Sequence, residues 1–191
     1  LDRLGWDRAA TVLPHLVPSI VYGTREDTLP YMRPFVRTLT ELDLSALADI
    51  APDPSWRDVG TLLAALLEGG DRAAGIGAAA TALRAGAGVG GLLDVVTLAV
   101  SERMLRYDVA GEFEFHDDFG WLDITHGMTY ANAVRWHHRA AVEHDGGTTP
   151  DLVRLALFCA FLAQWTGRHE WHAGIGPRDE SVEPLAADVV A

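Results

Sequence analysis

The sequence of 191 residues contains no lysine, so all 15 of its strongly cationic side chains are arginines, against 27 aspartates and glutamates. The absence of lysine excludes catalysis through a Schiff base or a lysine general base. The formal charge of −12 argues against two classes of partner, because phosphate backbones and anionic lipid surfaces both attract a cationic face. We therefore expect neither nucleic acid nor a membrane among the partners.

Cysteine is almost as scarce, since Cys159 is the only one in the chain. One thiol cannot form an internal disulfide, so a reducing cytoplasm is the expected location. Cys159 lies in the apolar run LALFCAFLAQW, where the usual role of a cysteine is that of a small buried hydrophobic side chain. The uncharged stretch around it, residues 155–167, is well short of the about 20 residues that cross a bilayer.

Helical periodicity runs through nearly the whole chain. Hydrophobic residues make up 49% of the sequence, which is typical of a folded globule. They recur at helical spacing, and no segment alternates polar and apolar residues as a strand does. We predict an all-α fold, a single-domain bundle of about seven helices over residues 1–173, followed by an extended tail over residues 174–191.

Capping signals predict several helix boundaries. Ser55, followed three residues later by Asp58, predicts the start of a helix. The sequence Thr149-Pro150-Asp151 combines an N-cap, a proline at N1 and an acidic first turn, and the last helix should run from there to about His172. Residues 86–91, GAGVGG, match the spacing of a nucleotide-binding loop, but a helix precedes them. We interpret them as a turn between two helices.

The most polar predicted helix covers residues 121–144 and begins WLDITHGMTYANAVRWHH. It contains several histidines, Tyr130 and the only asparagine of the chain, Asn132. Helical geometry places His126 and His137 on nearly one line. They are about 16 Å apart along the helix axis, so they cannot ligate the same metal ion.

A metal site is predicted where this helix begins. Asp123 and His126 have the i, i+3 spacing of the Glu-x-x-His pairs in carboxylate-bridged iron and manganese bundles. The sequence RHEWH repeats that spacing with His169 and His172. If the last two helices are antiparallel, as the short link DGGTT suggests, the four side chains converge, with His116 on the preceding connector as a fifth ligand. Such a mixed ligand set suits iron, with manganese or zinc as the other choices.

Two other interpretations of the same residues stay open. The helix dipole favours an acid such as Asp123 in a first turn, and cations such as His169 and His172 in a last turn, without any metal. A His–Asp pair can also transfer protons without a metal. Tyr130 and Asn132 are expected to orient a substrate near the site, although an asparagine within a helix more often ties two helices together.

The motif W-x4-H-x2-T-Y-A-N-A, in residues 121–133, resembles a helical region found next to Rieske-type [2Fe–2S] ferredoxin domains in bacterial proteins. The segments WDRAATVLPHLVP and PDLVRLALFCAFL are similar in the same places. A chain with one cysteine cannot supply the two cysteines and two histidines of the Rieske cluster itself. The resemblance therefore implies redox chemistry together with a ferredoxin-type electron-transfer partner.

The sequence thus predicts a histidine-rich helical metalloprotein of the cytoplasm, an iron-dependent oxidoreductase acting on a small organic substrate. One alternative is a metal-free helical scaffold that binds a redox protein. Another is a metal-free acid–base enzyme, such as a cyclase or an isomerase. Each of the three is compatible with a homodimer.

Overall fold

The computed structural model describes residues 5–11, 13–14, 17, 28–68, 73–108, 121–144 and 146–169, with the last two residues described by their backbone only. Its elements are helices, which confirms the all-α prediction, while the predicted tail over residues 174–191 lies outside the described residues. The α-helices are α1 (Arg33–Thr40), α2 (Leu44–Ala48), α3 (Val59–Leu67), α4 (Ala74–Arg84), α5 (Gly88–Leu105), α6 (Trp121–His144) and α7 (Pro150–Trp165). Short 3-10 turns cover Trp6–Arg8, Pro30–Met32 and Thr166–His169.

Helix α7 is the centre of the fold, because it contacts each of α1 to α6. Its buried residues cover one broad side of the helix and are almost all apolar, while Asp151 and Arg154 are exposed on the other side. Alanines at positions 156, 160 and 163 are fully buried, and such small side chains allow neighbouring helices to approach closely. None of the helices in the described ranges is long and apolar enough to cross a membrane. The apolar run is therefore the core of the bundle.

Aromatic rings join α7 to its neighbours. Phe158 contacts Phe35 of α1 at a centroid distance of 5.3 Å and Tyr130 of α6 at 5.2 Å. Phe161, one turn further along α7, also packs against Phe35, at 5.4 Å. Ring pairs in these tilted and edge-to-face arrangements contribute about 0.5–1.5 kcal/mol beyond the burial of their area. The cluster therefore ties α1 and α6 to the central helix.

Helices α5 and α6 form an antiparallel pair. As the residue numbers rise along α5 and the two residues that follow it, the numbers of their partners on α6 fall, which shows that the helices are antiparallel and gives their register. The pairs are Gly90 with His138, Asp94 with Arg135, Val100 with Gly127, and Tyr107 with Trp121.

The prediction that Ser55 begins a helix is wrong, since α3 begins at Val59. The carboxylate of Asp53 accepts hydrogen bonds from the Ser55 backbone N–H at 2.8 Å and from its hydroxyl at 2.7 Å. Ser55 therefore belongs to a turn that Asp53 organises. The Trp56 ring packs near Gly91 of α5, so a tertiary contact holds this segment outside the helix.

The predicted start of the last helix is confirmed, because the Thr149 side chain accepts a hydrogen bond from the Leu152 backbone N–H at 3.3 Å. The helix does not run to His172 as an α-helix, because α7 ends at Trp165 and a 3-10 turn follows. Near that end, Arg103 Nε donates to the Ala163 carbonyl at 3.0 Å. An α-helix would use that carbonyl for the backbone N–H of Gly167, so the arginine helps to end it.

The glycine-rich segment connects α4 to α5 as predicted, although α5 already begins at Gly88, so that only its first two residues lie between the helices. Gly86 and Gly88 have φ values of 90° and 66°, which L side chains rarely adopt. A Cβ at Gly86 would lie 2.7 Å from Asp53, and one at Gly88 would lie 2.9 Å from Pro52. These glycines therefore let the chain's own Pro52–Asp53 segment pack against the turn, in the place where a nucleotide-binding loop would hold phosphate.

Candidate metal site

The site predicted from sequence lies at one end of the α6–α7 pair. The two helices pack together and are joined by the short connection 145–149, so they run in opposite directions. Helix α6 also contacts the turn Thr166–His169 that follows α7. The beginning of α6 and the end of α7 therefore belong to the same end of the bundle.

The Tyr130–Phe158 contact, with a centroid distance of 5.2 Å, gives the relative level of the proposed ligands. Asp123 lies about 10 Å back from Tyr130 along α6, and His169 lies about 18 Å forward from Phe158 along α7 and its 3-10 turn. Because the helices are antiparallel, Asp123 and the backbone of His169 differ in level by about 8 Å, or one and a half helical turns. Long ligand side chains would have to span that offset for the two residues to share a metal ion.

The five predicted ligands are described to different extents. Asp123 is half-buried and His126 is exposed on the surface of α6. The backbone of His169 lies in the 3-10 turn, while His116 and His172 lie outside the described residues. Within the described residues, no three histidine, cysteine, aspartate or glutamate side chains form a cluster that could hold a metal. Two ligand side chains are therefore placed, and the rest of the set stays a prediction.

Tyr130 and Asn132 have different environments, although they are two residues apart. Tyr130 is half-buried, and burial raises the pKa of its phenol, with a smaller contribution from neighbouring Cys159. The phenol is therefore protonated at neutral pH and can donate a hydrogen bond. Asn132 is exposed on the outward side of α6. Because its amide is exposed to solvent, it does not need a hydrogen-bond partner on another helix, as a buried asparagine would.

Cys159 is a buried packing residue, as the apolar run predicts. Burial raises the pKa of its thiol to about 12, so the thiolate is scarce at neutral pH. Because the thiolate is the nucleophilic form, this environment does not activate the side chain for catalysis.

A buried polar group that sequence patterns did not identify lies next to the turn of His169. Arg103 of α5 is 1% exposed, and its Nη2 donates to the Leu66 carbonyl at the end of α3 at 2.8 Å. Its Nε donates to Ala163 near the end of α7, and a Cβ at Gly167 would lie 2.7 Å from the guanidinium. Arg103 therefore joins the carboxyl ends of two helices. The sequence feature that could have indicated this role is that Arg103 is a lone arginine on the apolar side of α5.

His138 is the second residue that sequence reasoning missed. It is half-buried, and its Cε1 atom lies 3.6 Å from where a Cβ would be at Gly90, in the first turn of α5. Burial lowers the pKa of His138, and the positive charges of Arg135 and Arg139 lower it further. The histidine is therefore neutral at pH 7. The sequence feature that could have indicated this contact is Gly90, because a glycine inside a helical pattern often has a packing reason such as the close approach of a neighbour.

Comparison with protein-family models, curated proteins and solved structures finds no match to this chain. The likeness to Rieske-associated helical regions therefore stays a prediction, and any function must be argued from the residues themselves.

Proposed function

We propose that this chain is a helical metalloprotein that binds iron between the beginning of α6 and the end of α7 and supports oxidoreductase chemistry on a small organic substrate. One observation carries the proposal: α6 contacts both α7 and the turn that contains His169. That packing puts Asp123, His126 and the backbone of His169 at the same end of the bundle.

The roles follow from the chemistry of the side chains. The Asp123 carboxylate is a hard donor and the His126 imidazole is a borderline one, and both suit iron. The remaining proposed ligands are His169, His172 and His116. Bound iron would supply electron transfer, fed by a ferredoxin-type partner. Tyr130, whose pKa burial raises, would donate a hydrogen bond from its phenol, while the exposed amide of Asn132 would orient polar groups of a substrate at the surface.

The experiment is metal analysis of untagged protein after anaerobic loading with Fe²⁺. We expect about one iron per chain, with most of it lost in the His126→Ala variant, because each ligand contributes to affinity. His137→Ala is the matched control, since it removes another exposed histidine from the same helix, about 16 Å away. Less than about 0.1 iron per chain in the unaltered protein, or equal loss in both variants, contradicts the proposal.

A metal-free interaction domain is the second candidate. The observation that favours it is the set of large apolar side chains exposed on α5 and α6, which includes Trp136 at 48% and Leu105 at 82%. Large apolar side chains exposed at a surface are typical of binding sites, and six of the ten that are exposed in the described ranges lie on these two helices. If the double variant His126→Ala, His172→Ala keeps the metal content of the original protein but changes the size of its complexes, this function replaces the first.

A further inference from the structure

Arg103 connects the two parts of the proposed metal site, although it is not among the proposed ligands. The register of the antiparallel α5–α6 pair places Val100 of α5 against Gly127 of α6. Three residues further along α5 correspond to about three residues back along α6. The backbone of Arg103 is therefore at about the level of residue 124, between Asp123 and His126.

The guanidinium of Arg103 reaches the other part of the site, the 3-10 turn Thr166–His169. A Cβ at Gly167 would lie 2.7 Å from Nη1 and 2.8 Å from both Cζ and Nη2. Because three atoms of the group are almost equally distant from that point, the flat face of the guanidinium covers Gly167. Helix α6 contacts the same turn. The turn therefore meets both Arg103 and the helix that contains Asp123 and His126.

Hydrogen bonds fix the guanidinium in this place. Its Nε donates to the Ala163 carbonyl at 3.0 Å, and its Nη2 donates to the Leu66 carbonyl at 2.8 Å. The Thr166 hydroxyl donates to the same Ala163 carbonyl at 3.2 Å. Arg103 is 1% exposed, and the partial negative charges at the carboxyl ends of two helices favour a cation there. The planar fork of donors reaches two helix ends at once, which the compact ammonium of a lysine does not do.

We propose that Arg103 is the positioning residue of this site. Its guanidinium holds the turn Thr166–His169 against the beginning of α6 and thereby sets where the backbone of His169 lies. As far as iron binding is concerned, this inference rests on the proposed function; the position of the turn does not, since the contacts of Arg103 involve no metal. Residues that orient a ligand from behind typically change metal affinity by about 10–100-fold when they are altered.

The first experiment measures the protection of backbone amides from hydrogen exchange, by NMR in the metal-free protein. Gly167→Ala puts a methyl group where the guanidinium lies. The protection factors of residues 166–169 should therefore fall at least about tenfold, because the turn opens more easily. Gly77→Ala is the control, since a Cβ there would meet nothing within 4 Å. Protection at residues 166–169 that Gly167→Ala leaves unchanged overturns the proposal.

Arg103→Lys tests whether the guanidinium is the cause of that loss. Lysine keeps the positive charge but lacks the flat fork, so it leaves room for the methyl group of an alanine at position 167. In this background Gly167→Ala should lower the protection of residues 166–169 by less than about twofold, because both changes remove the same contact. A fall as large as in the protein with Arg103 would contradict the proposal.

The second experiment measures binding of Fe²⁺ under anaerobic conditions. Gly167→Ala should bind the ion at least about tenfold more weakly than the unaltered chain. Leu152→Ala is the control for a general loss of stability, because it removes a fully buried side chain at the opposite end of α7. Equal weakening in the two variants overturns the positioning role and leaves the proposed function intact.

The two experiments separate this inference from the proposed function. If the unaltered chain binds no Fe²⁺, the proposed function fails, and the part of the inference that concerns iron fails with it. Amide protection in Gly167→Ala still decides whether Arg103 positions the turn Thr166–His169, because that measurement needs no metal.

Discussion

Helices α6 and α7 pack side by side, yet they differ in almost every property that relates sequence to function. Helix α7 contacts all six of the other α-helices and buries a broad apolar side, with only Pro150, Asp151 and Arg154 exposed. Helix α6 buries one side against α5 and α7, and its other side exposes histidines, an asparagine and Trp136. The comparison teaches that in this fold a continuous apolar run forms the core, while a helix of mixed composition presents its polar side chains at the surface.

The largest expected effect comes from truncating one aromatic side chain on each helix. Phe161→Ala on α7 should lower the free energy of unfolding by about 3–5 kcal/mol, because the ring is fully buried and the cavity cannot collapse completely. Trp136→Ala on α6 should cost under about 1 kcal/mol, since that ring is half-exposed. Urea denaturation at low protein concentration measures both. Equal losses would show that α6 is as deeply embedded as α7.

A smaller effect is expected where α7 meets α4. The Gly75 backbone N–H donates to Gln164 Oε1 at 2.7 Å, and a Cβ at Gly75 would lie 2.6 Å from that oxygen. Gly75→Ala should therefore cost about 1–3 kcal/mol, because a buried hydrogen bond must break or shift. Gly77→Ala is the control: on the same helix, a Cβ there would meet nothing within 4 Å, and alanine should stabilise α4 by up to about 1 kcal/mol.

The smallest effect is a dependence of stability on pH at the α5–α6 contact. Because the pKa of His138 is lowered in the folded chain, the unfolded chain binds a proton first as the pH falls below 6.5. The folded protein should therefore lose stability below that pH and be unaffected by this histidine above it. A His138→Gln variant, which cannot take up the proton, should lose less stability between pH 7 and pH 5.5. Parallel losses in both proteins would contradict this prediction.

The predictable parts of the fold were those that local interactions decide. Thr149, Pro150 and Asp151 combine three preferences for a helix start, and α7 begins there with the Thr149 side chain as its cap. The prediction that Ser55 caps a helix rested on equally local evidence but was wrong. The Asp53 carboxylate accepts a hydrogen bond from the Ser55 backbone N–H, and Trp56 packs near Gly91. A cap is predictable only where no competing tertiary contact takes the same residues.

The candidate site was predictable in part for the same reason. Helical spacing alone relates Asp123 to His126, and it places His126 and His137 on one line; both are exposed on α6. The positions of Arg103 and His138 depend on partners at Leu66, Ala163 and Gly90, which are distant in the sequence. No periodicity within one helix contains that information.

The sequence by itself determined that this chain folds as helices around the apolar run of α7, because periodicity and hydrophobic burial act within each segment. It also determined that α6 has a polar side rich in histidine. Only the tertiary structure decided which residues meet: that Arg103 joins the ends of α3 and α7, that His138 packs on Gly90, and that Trp136 stays at the surface. The physical reason is that these contacts form between helices, whose register depends on the packing of the whole core.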